Sequence, residues 1–219
     1  MKKNKVILFD LDGTLIDSTE AIVESFESAF LAMHQEIPLT EHITGLIGHP
    51  LEIMFEILGV SQEMIPQAVS LYKAHYRDIF RDKTSLLPKA REAIVLASTF
   101  AHLGIVTTKT GSYSKELLDS LMVGDYFSVV IGREDVNRPK PSPEPILKAM
   151  EYFEAMECFD RKSQFFMVGD TTLDIMAAQS ALITPIAVCC GYQSRDFLER
   201  SGALVVDNAL SAVKYIQGI

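Results

Sequence analysis

The sequence holds no apolar run long enough to cross a bilayer. It also lacks a leader pattern, since the basic start Met1-Lys2-Lys3-Asn4-Lys5 gives way to an apolar stretch too short for one. Cysteine is scarce. Three residues, an odd number, with Cys189 and Cys190 adjacent in what reads as an apolar strand, fit buried thiols in a reducing cytosol rather than a disulfide framework or a metal site. Positive charge is in deficit: 20 Lys and Arg against 29 Asp and Glu leave a formal net charge of −9, which disfavours nucleic acid and anionic membranes as partners. An anionic substrate must then be attracted by local cations. Repeats, low-complexity tracts and long linkers are missing too. What is abundant is apolar: 48% of the 219 residues, ample for a sizeable core. The expectation is a soluble, cytoplasmic chain of one large domain, or one domain with a smaller insertion.

The apolar run Val6 to Phe9 breaks abruptly into acid, apolar, acid, glycine at Asp10-Leu11-Asp12-Gly13. A run of this kind bounded by a turn signal reads as a strand buried on both faces, as in parallel sheets. Asp10 and Asp12 then stand at the end of that strand, before a glycine that permits a tight turn. Ligands of open α/β sheets bind in the crevice beyond the carboxyl ends of the strands. Two carboxylates placed there repel one another unless a cation or a shared proton relieves them. Taken alone, Asp-x-Asp fits a capped strand end with one solvated acid equally well.

From Ile16 to about Lys83 helical periodicity replaces strand signals. Asp17, Ser18 or Thr19 can cap a helix with the apolar stripe Ile22, Phe26, Phe30 and Met33. A short amphipathic piece around Ile43 to Ile47 stops at Gly48-His49-Pro50. Pro50 opens a further helix with Met54, Phe55 and Leu58 inward, and a long helix from about Gln62 to Arg81 carries Pro66 near its start. After Pro88 the spacing predicts a helix to about His102 and a strand from Gly104 to Lys109. Strands follow at Ser128 to Ile131, Phe165 to Val168, Pro185 to Cys189 and Leu204 to Val206, separated by helices. This alternation predicts an α/β fold, a doubly wound parallel sheet with an inserted all-helical bundle. Methionines and phenylalanines at helical spacing are read as core.

The stretch Phe9-Asp10-Leu11-Asp12-Gly13-Thr14-Leu15 resembles the first motif of the haloacid dehalogenase superfamily, most of whose members are phosphohydrolases. Three further stretches match its remaining motifs in order: Thr107 at a strand end, Lys140 within Lys140-Pro141-Ser142-Pro143, and Gly169-Asp170-Thr171-Thr172-Leu173-Asp174. The resemblance covers essentially the whole chain and is closest to phosphoglycolate phosphatases and the related pyrophosphatases. It implies a Rossmannoid catalytic core of residues 1–15 and 84–219, with residues 16–83 as a helical cap that closes over the site.

By that resemblance Asp10 is the nucleophile of an aspartyl-phosphate intermediate. Asp12 is the general acid and later the base, its backbone carbonyl also ligating metal. Gly13 brings the backbone close to the phosphate, and Thr14 buttresses the loop. The Thr107 hydroxyl bonds a phosphoryl oxygen, with Thr108, where related phosphatases often have Asn, as a further substrate contact. Lys140 pairs with the nucleophile and the phosphoryl oxygens. Asp170 joins Asp10 on a hard divalent cation, and Asp174, one helical turn on, holds waters or hydroxyls around it. Such an all-oxygen set suits Mg²⁺. Gly48 and His49 match a cap loop that faces the phosphate site, a loop-exposed histidine with no role being the other reading. Lys109 reads as a solvated charge.

The expected activity is Mg²⁺-dependent hydrolysis of a small phosphorylated metabolite, phosphoglycolate-like, by a monomer or homodimer. A phosphosugar mutase or a pyrophosphatase of the same fold is the near rival, and a non-catalytic binding protein the distant one. The resemblance sets dehalogenases and phosphonatases aside, since they lack or replace the second acid. Against a mutase stand Thr14, where sugar mutases often carry an apolar residue, and a cap loop around Gly48, His49 and Pro50 with no nearby Arg or Lys to grip a second phosphate.

Overall fold

Every residue of the first strand, β1 (Lys5–Phe9), is buried, as its unbroken apolar run requires. A computed structural model gives the fold, describing residues 3–156 and 164–219; Met1, Lys2 and the third cysteine, Cys158, lie outside the described residues. The chain continues through a two-residue strand β2 (Ile16–Asp17) and four helices, α1 (Thr19–Ala32), α2 (Thr40–Thr44), α3 (Leu51–Ile57) and α4 (Ile65–Ile79). A second short strand, β3 (Ser85–Leu86), ends this block. Then follow α5 (Ala90–Ser98), β4 (Ala101–Val106), α6 (Gly111–Ser120), β5 (Val129–Ile131), α7 (Glu144–Glu154), β6 (Gln164–Gly169) and α8 (Thr172–Ser180). The chain closes with β7 (Thr184–Val188), α9 (Arg195–Glu199), β8 (Leu204–Val206) and α10 (Ala209–Gly218).

Six strands form one parallel sheet in the order β5-β4-β1-β6-β7-β8. Side chains of β1 alternate between its faces. Val6 and Leu8 pack with Ile146 and Phe153 of α7 and Ala178 of α8. Ile7 and Phe9 face the other way, into a cluster with Ile94 of α5 and Val213 and Ile216 of α10. That second cluster runs on without interruption into the helical block, through Phe26, Phe55 and Tyr72. Within the block Phe26 stacks at a tilt on Phe55 (4.6 Å between ring centroids) and on Tyr72 (4.9 Å), and Tyr72 and Tyr76 of α4 stack in turn with Phe80, which caps that helix.

The chain leaves the sheet and returns to it side by side. β2 and β3 pair antiparallel, Ile16 opposite Leu86 and Asp17 opposite Ser85, and the Leu87 N–H bonds the Leu15 carbonyl at 2.9 Å. Strands of two residues carry no periodicity, so this ribbon is absent from the sequence reading. Three readings are corrected. The helix expected to reach His102 stops at Ser98, and β4 begins at Ala101 rather than Gly104, because pairing of Ala101 and Leu103 with Lys5 and Ile7 decides a stretch that suits either period. Cys189 and Cys190 lie in the turn after β7, not within it. Met122, Met176 and Phe197 are exposed, unlike the other apolar residues assigned to the core. No described helix is long and apolar enough to cross a membrane.

Phe26 is fully buried at the centre of the aromatic cluster. Phe26→Ala is expected to lower the unfolding free energy by about 3–5 kcal/mol, read from urea denaturation followed by circular dichroism.

Candidate active site

Asp10, Thr107 and Asp170 each stand one residue beyond the end of a central strand, β1, β4 and β6 respectively. Strand pairing holds Phe9 beside Ile105 and Val168, so these three residues emerge together at the carboxyl edge of the sheet. The Asp10 N–H continues the ladder to the Val168 carbonyl at 2.9 Å. Lys140 reaches the same point from the loop before α7. Its Nζ lies 2.9 Å from Asp10 Oδ1 and 2.5 Å from Asp174 Oδ1, and donates to the Val106 carbonyl at 3.2 Å. All three ammonium protons are therefore used, on a side chain only 1% exposed. Burial disfavours this ammonium, but Asp10 and Asp174 outweigh it and hold the charge well above the ordinary lysine range.

Asp174 sits in the first turn of α8 and closes a capping box, its Oδ2 accepting from the Thr171 N–H at 3.0 Å and the Thr171 hydroxyl at 2.7 Å. Asp170, fully buried, accepts from the Tyr192 N–H at 2.9 Å and the Thr14 hydroxyl at 3.1 Å, all neutral donors. Asp10, Asp170 and Asp174 each bring a carboxylate oxygen within 4.8 Å of the others. Two of these acids thus share Lys140, and the third has no cation against it among the described residues. Burial foremost, with Asp174 and Asp12 adding to it against Lys140, pushes the Asp10 carboxyl up to about 7. Burial and then the neighbouring Asp10 and Asp174 push Asp170 up as well. The donor set is oxygen only, and Asp170 has no ion-pair partner among the described residues. This group fits a hard divalent cation.

Asp12 faces elsewhere. Its Oδ1 accepts from the Ser18 hydroxyl and its Oδ2 lies 3.2 Å from Lys109 Nζ. Lys109, read as solvated, has a side chain only 8% exposed, bonds the Tyr76 hydroxyl at 2.9 Å and lies over the Tyr76 ring. Burial works against its charge, yet Asp12 and the two tyrosines Tyr76 and Tyr72 hold it raised. Gly13 takes a left-handed φ of +78°, and a Cβ there would stand 2.3 Å from Asp170 Oδ2, so only glycine lets this turn pass beside the acid. The Thr107 hydroxyl accepts from the Lys109 N–H at 3.2 Å, leaving its own proton to donate. Thr108 instead donates its proton to the Gly48 carbonyl at 3.0 Å.

That bond seats the helical block on the sheet. Gly48 adopts φ +108°, and a Cβ there would press on Thr171 Cγ2 at 3.1 Å. Beside it opens a cavity lined by Asp12, His49, Glu52, Lys73, Lys109 and Arg133 among others. Burial lowers the His49 imidazole, which favours its neutral form. The sequence reading found no cation near Gly48 and His49, but Lys73 comes from α4 and Arg133 from the loop after β5. Chain separation hid them. Ser18, Tyr192 and Lys109 were also missed; only Lys109, two residues from Thr107 in the same loop, carried a local signal.

Known proteins match this chain along most of its length. A family model described as haloacid dehalogenase-like hydrolase matches residues 7–188. A phosphoglycolate phosphatase of Photorhabdus laumondii is 30% identical over 201 residues, covering 88% of this chain and 83% of its own. Probable phosphatase IndB of Dickeya dadantii is 32% identical over 214 residues, covering 95% and 91%. A solved haloacid dehalogenase-like hydrolase from Streptococcus pneumoniae superposes with a TM-score of 0.85 at 26% identity, over 99% of this chain and 100% of that one.

The raised Asp10 carboxyl has a consequence for stability. An unfolded aspartate releases its proton near 4, whereas folded Asp10 does so at about 7. Between these values the folded chain binds more protons, so this group's contribution to stability falls as pH rises. In EDTA, wild-type protein should therefore lose more thermal stability between pH 5 and pH 7.5 than Asp10→Asn does. Mg²⁺ should restore it at pH 7.5 but not at pH 5. Equal slopes in melting curves of the two proteins would contradict this.

Proposed function

We propose that this chain, which belongs to the haloacid dehalogenase-like hydrolase family and is a phosphohydrolase, hydrolyses a small phosphorylated acid of the phosphoglycolate kind. The observation that carries the reading is the trio Asp10, Asp170 and Asp174 at the carboxyl edge of the sheet, with Lys140 the one lysine against them among the described residues. A phosphate dianion would enter a site already short of positive charge unless a cation joined it. Asp10 and Asp170 are the side chains we assign to Mg²⁺, with the Asp12 carbonyl as a further ligand and Asp174 and Thr14 supporting them. Bound there, Mg²⁺ would neutralise phosphoryl oxygens and lower the charge opposing attack.

The remaining work falls to the chain. Lys140 holds Asp10 Oδ1, which directs the other carboxylate oxygen to the phosphorus atom. As the Asp10 O–P bond forms, the bond from phosphorus to the leaving oxygen breaks, and a protonated Asp12 supplies the proton that oxygen needs. Asp12, now a carboxylate held by Ser18 and Lys109, takes a proton from water, whose oxygen attacks the same phosphorus. Phosphate leaves and the Asp10 carboxylate returns. The Thr107 hydroxyl and the backbone at Gly13 hold the phosphoryl oxygens, while Thr108 serves the cap loop. In this reading residues 1–15 and 84–219 are the core, residues 16–83 are the cap, and the β2–β3 ribbon is the hinge between them.

A second reading is a phosphosugar mutase. Lys73 and Arg133 beside Gly48 and His49 are cations that a second phosphate would use. The two readings part at the acyl phosphate, which water reaches in a hydrolase and a sugar hydroxyl reaches in a mutase. ³¹P NMR with Mg²⁺, sugar 1-phosphate and a trace of the bisphosphate distinguishes them, and the expected product is inorganic phosphate without isomerised sugar. A phosphate-release screen should include pyrophosphate, since related pyrophosphatases share these motifs.

Asp10→Asn is expected to fold, being nearly isosteric, and to lower turnover by orders of magnitude, because an amide cannot form the acyl phosphate. EDTA should abolish wild-type activity. Retention of more than a few per cent of activity by Asp10→Asn would mean that water attacks the ester directly.

A further inference from the structure

The cavity beside Gly48 holds Asp12 but none of Asp10, Lys140 or Asp170. In the reaction proposed above, the proton donor faces the leaving group and the nucleophile faces the phosphate. The cavity is therefore where the leaving group lies, and its remaining walls decide which esters fit.

Two of those walls meet imperfectly. Arg133, on the core side, has its Nε 4.0 Å from Glu52 Oε2 in α3 of the helical block. Both atoms are buried, and neither has a hydrogen-bond partner among the described residues. The pair attracts across a gap too wide for a hydrogen bond. Arg133 is otherwise well anchored, its N–H bonding the Lys109 carbonyl at 2.9 Å and its Nη1 the Val136 carbonyl at 3.2 Å. The guanidinium therefore stands on the loop that carries Lys109, the partner of Asp12. Lys73 of α4, which lines the same cavity and is half-buried, makes no ion pair or hydrogen bond among the described residues. The other cation lining this cavity, Lys109, is committed to Asp12 and Tyr76.

Resting on the phosphohydrolase reading above, we propose that Arg133 and Lys73 form a subsite for a second anionic group on the leaving side of the substrate, with Glu52 as the counter-ion that this group displaces. The substrate class is a phosphomonoester whose alcohol carries a carboxylate. A substrate carboxylate can come within 2.7–2.9 Å of the Arg133 fork and form the charge-assisted bonds that Glu52 is too far away to make. Lys73 balances the additional charge. Because Arg133 belongs to the core while Lys73 and Glu52 belong to the helical block, the anion binds both at once, and an ester with a neutral tail does not.

The test compares phosphoglycolate with ethyl phosphate, which replaces the carboxylate by a methyl group, in Mg²⁺-loaded wild-type enzyme and in Arg133→Met, Arg133→Lys and Glu52→Gln. Folding of each variant is checked by circular dichroism. Wild type should favour phosphoglycolate. Arg133→Met should lower the ratio of kcat/KM for phosphoglycolate over ethyl phosphate about tenfold or more, mostly through KM, the scale of one lost charge-assisted hydrogen bond. Arg133→Lys should recover part of it, because charge returns without the fork. Glu52→Gln should lower KM for phosphoglycolate by removing the competing carboxylate. If Arg133→Met fails to fold, Lys73→Met makes the same comparison from the other wall. Equal effects of Arg133→Met on both esters, or a raised KM for phosphoglycolate in Glu52→Gln, would show that the pair only holds the two walls together. Release of phosphate from both esters with equal efficiency overturns the subsite and leaves the phosphohydrolase reading intact. Release from no ester at all overturns that reading itself.

Discussion

One ammonium group among three buried carboxylates sets the terms for the rest of this structure. Lys140 has every proton engaged, two of them on buried acids. Removing one partner of a buried ion pair costs about 3–5 kcal/mol, so the three segments that supply these charges are held to one another. The loop before α7 must fold back over the sheet edge, and the turn after β6 must run directly into α8 so that Asp174 can cap the helix and meet the lysine. The remaining excess of negative charge is what makes the arrangement more than structural. Such an excess is one that a divalent cation would relieve.

The two acids of the first strand's end illustrate how short a distance separates different environments. Asp10 lies beneath the surface on the lysine side; Asp12, after one intervening residue, meets Ser18 and Lys109 at the seam with the helical block. Gly13 makes this division possible, because any side chain at that turn would collide with Asp170. Asp10 thus belongs to the sheet alone, while the surroundings of Asp12 are shaped in part by Ser18, just before α1, and in part by α4, through Tyr76 and its bond to Lys109. In the proposed reaction, chemistry at phosphorus and choice of alcohol accordingly fall to different packing surfaces.

Much of this was legible beforehand, for reasons that lie in local sequence. The buried run of β1, the prolines flanking Lys140 and the acid placed to cap α8 each announce their structure within ten residues. What escaped detection depends on contacts across the chain. β4 began early because its partner strand, a hundred residues away, chose the register. Lys109 looked solvated because nothing adjacent to it predicts the tyrosines of α4 that enclose it. Arg133 and Lys73 are sixty residues apart in sequence and border one cavity. No window along the chain contains both. Tyr192 contributes a backbone N–H, which every residue but proline possesses, so its identity carried no message.

The short ribbon of β2 and β3 has a consequence for the history such a chain permits. Paired antiparallel residues stand about 5 Å apart, so Asp17 and Ser85 bring the two ends of a long insertion almost together. Whatever lies between them closes a loop whose entropic cost grows only slowly with length. The junction itself therefore sets no length for what is inserted; the four helices are held by the core they share with the sheet. In the proposed reaction the helical block meets the alcohol, so a change of insertion at this junction would alter that surface while Asp10, Lys140 and Asp170 stay on the sheet side of it.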